Sequence, residues 1–440
     1  MNKCAVLTLI FISFSSLCLV VIHPAEADYR AIVVPDDYPT ITQAIGNATD
    51  GDTVFVKKGT YEEHTLIINK SISLIGEDAD NTTLNNIDPE FRGAWPNLIW
   101  NAAIEIQTNK ITISNLQIAL AGGAVISIVG NGNGTTITKS VITSGRIDIT
   151  GSNQTFESNK VHGTVGEFAL TLKGSFNYVS SNQVTGTTGG ISTSGSNNVV
   201  YRNTLTSESF IGGGLAVSGN ENLVANNSLN SFASINGEFN IMCQNKIDGN
   251  VAITGNNNTF YGNIFQGIIL GNRIKDSSKN LFYHNNFIFT QNPALPLGEK
   301  TFTVWEGVRE PSSLDNGKEG NYWSDYTGLD QDGDGIGDTP YSIITKDPAN
   351  YEYIAEFNVA NLTFTDHYPL ITSFDLSKTT IPLPDWTNQP TPSPTTFPPL
   401  TQSPSLTPSP SIPEFPAWIV LSLIVVTSAF LMALKGRKIK

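Results

Sequence analysis

Leu172-Lys173-Gly174-Ser175-Phe176-Asn177-Tyr178-Val179-Ser180-Ser181-Asn182-Gln183-Val184 reads as apolar-x-Gly-x-x-Asn-x-apolar-x-x-Asn-x-apolar, and the fold turns on that reading. The unit recurs with Gly195, Asn198 and Asn203, with Gly219, Asn222 and Asn227, with Gly237, Asn240 and Asn245, and with Gly255, Asn258 and Asn263. An earlier copy has Gly151, Gln154 and Asn159, and a later partial one keeps Asn280 and Asn285. The Gly-to-Gly spacings are 23, 21, 24, 18 and 18. A period near 21 is too short for helical repeats, and the Leu-x-x-Leu-x-Leu of leucine-rich repeats is absent. No proline occurs between Asn97 and Asn292. That suits a segment whose backbone is almost all in or beside a sheet, because proline cannot donate to a β-ladder.

The pattern therefore predicts a parallel β-helix of about three short strands per coil, with coils about 4.8 Å apart. About ten coils would make a rod of around 45 Å. Fixed Asn positions then stack. Asn tolerates a left-handed corner and its amide can bond the amide above. Gly marks a second tight corner, and the uneven spacing assigns the variable length to one corner. Thr40–Ile45 reads as a short amphipathic helix closing the N-terminal end. Asp52–Val56 and Ser71–Ile75 read as the first strands.

The flanks concern address. Ala5–Ile22 is apolar and Ala25-Glu26-Ala27 follows, so residues 1–27 read as a secretory signal. Residues 28–100 form the N-terminal cap and first coils, 101–290 the Asn/Gly repeat, and 291–380 a C-terminal cap. Residues 381–416 are a Pro/Ser/Thr-rich linker that cannot bury a core. Residues 417–434 are an apolar run long enough for one membrane span, and 435–440 a basic tail expected in the cytoplasm. Residues 28–416 carry 20 basic and 38 acidic side chains, net −18. That balance argues against nucleic acid and suits a solvated cell surface or cation binding.

Several constellations offer chemistry. Asp330-Gln331-Asp332-Gly333-Asp334-Gly335-Ile336-Gly337-Asp338 has the oxygen spacing of a calcium loop. Its ligands would be Asp330, Asp332, Asp334, Asp338 and the Ile336 carbonyl. Tyr341 stands where an EF-hand has Glu, so a structural staple is expected, with a solvated acidic turn as the alternative. Arg146 with Asp148, and Glu167 with Lys173, are pairs on shared strand faces, with Ile147, Ile149, Phe168, Leu170 and Leu172 directed inward. A polysaccharide lyase needs such acids and a base, but only 19 charged residues occur between Asn101 and Thr290 and none form a dense cluster. Tyr322, Trp323 and Tyr326 could stack on sugar rings or cover the open end of the solenoid. Asn47, Asn69, Asn81, Asn133, Asn153, Asn226, Asn257 and Asn361 begin glycosylation sequons.

Val34-Pro35-Asp36-Asp37-Tyr38-Pro39-Thr40-Ile41, Asp50-Gly51-Asp52-Thr53-Val54 and Gly59-Thr60-Tyr61 resemble the start of secreted right-handed parallel β-helix proteins of the pectate-lyase-like fold. Gly320–Tyr326, the Asp330–Asp338 run and Asp366-His367-Tyr368-Pro369-Leu370 resemble the closing segment of the NosD-like subgroup. Pro413-Glu414-Phe415-Pro416, with the span and basic tail, resembles archaeal C-terminal sorting signals, which would exchange the tail for a lipid anchor. A retained transmembrane anchor stays equally open. The resemblance implies an all-β solenoid held at the cell surface, with polysaccharide or envelope components as partners. A non-enzymatic binding or structural role is the first expectation. A polysaccharide lyase, epimerase or glycoside hydrolase is the second. The third is a NosD-like accessory protein for copper-enzyme maturation. Copper needs soft or imidazole ligands. The mature part offers only scattered His64, His162, His284 and His367, with Met242 at an apolar repeat position and Cys243 beside it.

Overall fold

The computed structural model describes residues 29–88, 91–92, 99–100, 102–120, 126–163, 168–186, 190–207, 213–249, 251–266, 269–271, 279–288, 302–303, 312–344 and 363–388. It divides into two units, 1–383 and 384–440. Of the second, the described part is a 3-10 turn at Asp385–Asn388, with Thr387 Oγ1 donating to the Pro384 carbonyl at 2.7 Å. The expected signal segment, linker, membrane span and tail lie outside the described residues, apart from the linker's first residues. Among the described residues no helix is long and apolar enough to cross a membrane.

The first unit is a right-handed parallel β-solenoid of about ten turns. Three sheets run along it. Sheet 1 has twelve strands, from Ala31–Val34 to Leu281–Tyr283. Sheet 2 has twelve, from Gly59–Glu63 to Tyr322–Trp323. Sheet 3 has eleven, from Leu66–Ile68 to Phe302–Thr303. In the repeat each coil visits sheet 3, then 1, then 2, and every step along a sheet is a parallel pair, with register shifts in sheet 3 between Ile126 and Ile128 and between Gly213 and Leu215. The ladders cross the expected boundaries at 100/101 and 290/291 without a break, since Tyr322–Trp323 closes sheet 2.

Register stacks like on like. Sheet 1 aligns Val179, Val200, Val224, Met242, Phe260 and Phe282 inward. Sheet 2 aligns Val184, Leu205, Leu229, Ile247, Phe265 and Phe287. All twelve are 3% exposed or less, and each such burial contributes about 1.5–3 kcal/mol. Toward the closing end the rows turn aromatic, with Phe260 on Phe282 at 4.5 Å and Phe265 on Phe287 at 5.3 Å.

Both Asn positions form buried ladders. At the corner between sheets 1 and 2, Asn203 Oδ1 accepts the backbone N–H of Asn182 at 3.0 Å and its Nδ2–H at 2.9 Å. Asn203 Nδ2 donates to Val179 O and to Asn227 Oδ1. The chain of amides runs from Asn159 through Asn182, Asn203, Asn227, Asn245, Asn263 and Asn285 to Asn321. Gln154 to Asn280 form the companion ladder between sheets 3 and 1.

One expectation is corrected. The ladder Asn does not hold the left-handed corner; the residue before it does, as at Phe176 (φ 59°), Ser181 (57°), Arg202 (55°), Phe239 (57°) and His284 (56°). That residue, exposed at Phe176, Ser181, Arg202 and Phe239 and half-buried at His284, turns the chain so that the amide after it faces the interior. Gly is required where expected: a Cβ on Gly219 would sit 2.1 Å from the Gly195 carbonyl oxygen of the coil below. The variable corner is the one from sheet 2 to sheet 3. It takes two residues between Leu229 and Phe232 and five between Ser207 and Gly213.

At the opening end the helix is Ile41–Asn47, with Thr40 as its N-cap rather than its first residue. Buried Glu63 accepts Ile41 N–H at 2.5 Å and Thr42 Oγ1–H at 2.7 Å, answering donors that a helix start leaves open. Ala31–Val34 adds a strand beside Thr53–Val56 that was not expected.

Candidate functional site

The ladder between sheets 1 and 2 ends at Asn321, and something must answer its last donors. Asp366 does. Its Oδ2 accepts Asn321 N–H at 2.8 Å and Trp323 Nε1–H at 2.8 Å, and its Oδ1 accepts Tyr368 N–H at 3.1 Å. The two motifs far apart in sequence thus meet. Gly320 N–H bonds the Tyr368 carbonyl at 2.8 Å and Leu370 N–H bonds the Asn321 carbonyl at 2.9 Å. Gly320 has no room for a side chain, because its Cβ would lie 1.8 Å from Asp366 Oδ1. Burial pushes the Asp366 carboxyl up to about 6, although the Asn321, Trp323 and Tyr368 donors pull the other way.

Trp323 is 0% exposed. Its ring lies between Phe287 at 4.2 Å and Tyr341 at 4.6 Å. It extends the inner row of sheet 2, so no ring face is left for a sugar; of the two readings of the aromatic cluster, this residue follows the cap. Tyr322 and Tyr326 are half-buried, and Tyr326 donates its hydroxyl to the Thr339 carbonyl.

The acidic loop is built on the same closing end. Gly337 N–H bonds Pro369 O at 2.8 Å and Ile371 N–H bonds Gly335 O at 3.2 Å. Carboxylate oxygens of Asp330, Asp332 and Asp334 all lie within 4.8 Å of one another. Asp330 is held below the ordinary carboxylate range; desolvation opposes this, but the N–H groups of Gly335 and Gly333 prevail. Asp332 moves the other way: the Asp334 N–H lowers it, while the Asp334 and Asp330 carboxylates raise it. That mutual repulsion is what a divalent cation would relieve. Asp338 Oδ2 accepts Gln331 N–H at 2.9 Å, closing the loop. Ile336 is half-buried, its own N–H bonded to Asp334 Oδ1 at 2.8 Å.

Of the lyase candidates, Glu167 lies outside the described residues. Arg146 and Asp148 stand on the outer side of sheet 3, and Lys173 on the next coil reaches Asp148 Oδ1 at 3.3 Å. Ile147, Ile149, Leu170 and Leu172 point inward as expected, but Phe168 precedes its strand and is half-buried, with Ala169 taking the interior. Beyond this pair, toward the closing end, the outer side of sheet 3 carries small side chains, mostly hydroxyls with two alanines. One row is Thr171, Ser192, Ala216, Ser234 and Ala252; the other continues from Lys173 through Ser194, Ser218 and Asn236 to Thr254.

The four histidines are dispersed: His64 on Asp88, His162 on Thr185, His284 on Glu319 and His367 on Asp315. Met242 is core and Cys243 is buried, its thiol pushed up by burial to about 11. Among the described residues, the aspartate trio is the one group of three or more His, Cys, Asp or Glu placed to share a metal.

Asn47, Asn69, Asn81, Asn133, Asn153 and Asn226 are exposed and Asn257 is half-buried; Asn361 lies outside the described residues. Asn153, Asn226 and Asn257 occupy the left-handed corner position, so the repeat itself writes these sequons: a corner Asn, a ladder amide, then the Ser or Thr that opens a strand.

Two features were missed. Residues 374–380 double back along the corner between sheets 1 and 2. Phe374 N–H bonds Asn286 Oδ1 at 2.7 Å, Phe374 stacks on His284 at 4.1 Å, Tyr261 hydroxyl bonds Thr380 O at 3.0 Å and Gln244 Nε2 bonds Thr379 O at 2.6 Å. A third ladder, half-buried at Ser152, Ser175, Ser196 and Glu238 and exposed at Asn133 and Asn220, follows the corner Gly, running Asn133, Ser152, Ser175, Ser196, Asn220, Glu238. The recurrence of Ser or Asn after the corner Gly, broken at Glu238, was its signal.

No family model matches this chain, and no curated protein does. Among solved structures it is similar to ORF18 of Geobacillus virus E2, with 11% identity and a TM-score of 0.37 over 72% of this chain and 63% of that one. It is also similar to the PL6 family alginate lyase AlyGC, with 11% identity and a TM-score of 0.37 over 65% and 50%. A third is a mannuronic acid specific polysaccharide family 6 lyase from human gut microbiota, with 14% identity and a TM-score of 0.34 over 59% and 82%. The chain thus spans between half and two thirds of the length of the first two.

Proposed function

We propose that this is a β-helix held at the cell surface that binds carbohydrate, or contributes to the envelope, without catalysis. The supporting observation is the outer side of sheet 3. One row there, Ser194, Ser218, Asn236 and Thr254, presents a hydroxyl or amide at each coil, and beside it Thr171, Ser192 and Ser234 form a second row interrupted by Ala216 and Ala252. A flat, repeating set of donors and acceptors suits a polymer with repeating hydroxyls. The charged pair at its edge, Asp148 and Lys173, is engaged with itself. Secretion through residues 1–27 and anchoring through 417–434 belong to the same reading. The test is to present the full chain in detergent to a polysaccharide panel, following retention and ultraviolet absorbance for unsaturated products. Retention without product is expected. Product formation would replace this reading with the lyase one.

Calcium at Asp330, Asp332, Asp334, Asp338 and the Ile336 carbonyl is the second part of the proposal, as a staple of the closing end. A site saturated a hundredfold above its Kd stabilises by about 2.7 kcal/mol. Adding calcium should raise Tm by several degrees, and Asp332→Asn should abolish most of that rise. An unchanged melting curve in calcium and in chelator would leave the loop an acidic turn.

A further inference from the structure

The left-handed corner residues between sheets 3 and 1 form one row along the solenoid, one per coil. From Asn153 the row reads Phe176, Asn197, Glu221, Phe239, Asn257, Lys279. Asn suits this backbone, and Lys and Glu keep their ends in water. Phenylalanine does neither. A bulky side chain at positive φ is a conformational outlier, and an outlier of this kind is a reason to look for function. Phe176 is 44% exposed and Phe239 53%, the two exposed phenylalanines among the described residues. They share a row, three coil rises or about 14 Å apart. Exposed Glu221 and half-buried Asn197 lie between them. The row borders the hydroxyl face of sheet 3, because each corner follows directly on a sheet 3 strand such as Leu170–Lys173 or Phe232–Asn236.

We infer that Phe176 and Phe239 are stacking platforms for a linear oligosaccharide lying along this corner, with Asn197 and Glu221 bonding hydroxyls of the sugars between. Sugar rings present an apolar C–H face and polar edges. Two aromatic rings with hydrogen-bonding groups between them match that alternation, and the solenoid fixes the spacing. The inference rests on the carbohydrate reading above and gives it a place on the molecule.

The test uses a property of the corner itself. Phe176→Asn and Phe239→Asn place at each site a residue already found on this row, so the double variant should fold and melt at or above the wild-type temperature. Affinity electrophoresis of the full chain in gels containing alginate, polygalacturonate, xylan or mannan reads retention. We expect the double variant to lose at least about tenfold in affinity for the retained polymer, and Phe→Trp at both sites to keep it. Unchanged retention by the Asn variant would overturn this site and leave carbohydrate binding elsewhere. No retention of wild type by any polymer would remove the carbohydrate reading and this site with it. Concentration-dependent self-association that vanishes in the Asn variant would assign the row to a second copy of the chain instead.

Discussion

The middle of the solenoid and its closing end satisfy the same demand by different means. In the middle, each amide of the ladder between sheets 1 and 2, from Asn182 to Asn263, is answered by an identical amide one coil away, so the pattern supports itself without charge. At the closing end there is no next coil. The role of the next Asn falls to Asp366, which arrives from a different element, the antiparallel pair of Tyr341–Ile344 with Thr363–Asp366. Its hydrogen bonds all come from donors: the Asn321 and Tyr368 backbone N–H groups, the Trp323 indole and, at 3.5 Å, Asn321 Nδ2. A carboxylate, with acceptors on both oxygens, suits that set better than an amide would. The repeat is therefore cheap to extend and costly to stop, and the residues that stop it are chemically foreign to it.

The largest effect should come from breaking the middle. Asn227→Ala removes the acceptor for Asn203 N–H and Asn203 Nδ2–H, and the donor to Val200 O and Asn245 Oδ1. At about 1–3 kcal/mol for each buried group left unanswered, the expected loss is roughly 3–5 kcal/mol by denaturant unfolding. A loss under about 1 kcal/mol would mean that water enters the ladder and that the amides are not the cohesive element.

The closing end should give a smaller, pH-dependent effect. Asp366→Ala is expected to cost about 2–4 kcal/mol, since it orphans Asn321 and Trp323 donors in a buried site. Asp366→Asn should cost about 1 kcal/mol or less at pH 7. It keeps an acceptor for the ladder and removes a buried charge, but turns an N–H₂ toward Tyr368 N–H. Because the folded-state carboxyl is raised from 3.8 to about 6, the native state holds its proton more tightly than the unfolded chain. Its contribution is present below about pH 4 and lost as pH rises through 6. Wild type should therefore lose up to about 3 kcal/mol of this contribution between pH 4 and 7, and Asp366→Asn should not. Matching pH profiles for the two proteins would show that the three donors outweigh burial.

The same contrast explains what was legible. The repeat announces itself because each coil obeys one geometric rule, so Gly219, Asn222 and Asn227 recur in register with their counterparts. Spacing alone could not say which residue takes the left-handed corner, since Asn is also common there, as at Asn226 beside Asn227. The cap was not legible from spacing. Asn321 and Asp366 are 45 residues apart, and nothing periodic links them. Trp323 invited a surface role because aromatic residues serve both cores and binding faces; only its place in the inner row of sheet 2 decides. The strap over His284, Tyr261 and Gln244 uses backbone carbonyls of Thr379 and Thr380, which leave no mark in the side-chain pattern.

The smallest expected effect lies on the outer side of sheet 3. Lys173 is 51% exposed and Asp148 26%, and their 3.3 Å contact is open to solvent. A pair so placed contributes about 0–1 kcal/mol, less in salt. Lys173→Ala and Asp148→Ala should each shift stability by less than about 1 kcal/mol, and a double-mutant cycle should find coupling of about 0.5 kcal/mol or less. The same variants separate the two readings of the face. A binding surface made of many small hydroxyls should keep most of its affinity when one charged pair at its edge is removed. A catalytic base, if Lys173 were one, would take the whole reaction with it while leaving retention nearly intact. Loss of product without loss of retention in Lys173→Ala is thus the outcome that would make this solenoid an enzyme, and equal, small changes in both variants would keep it a binding scaffold.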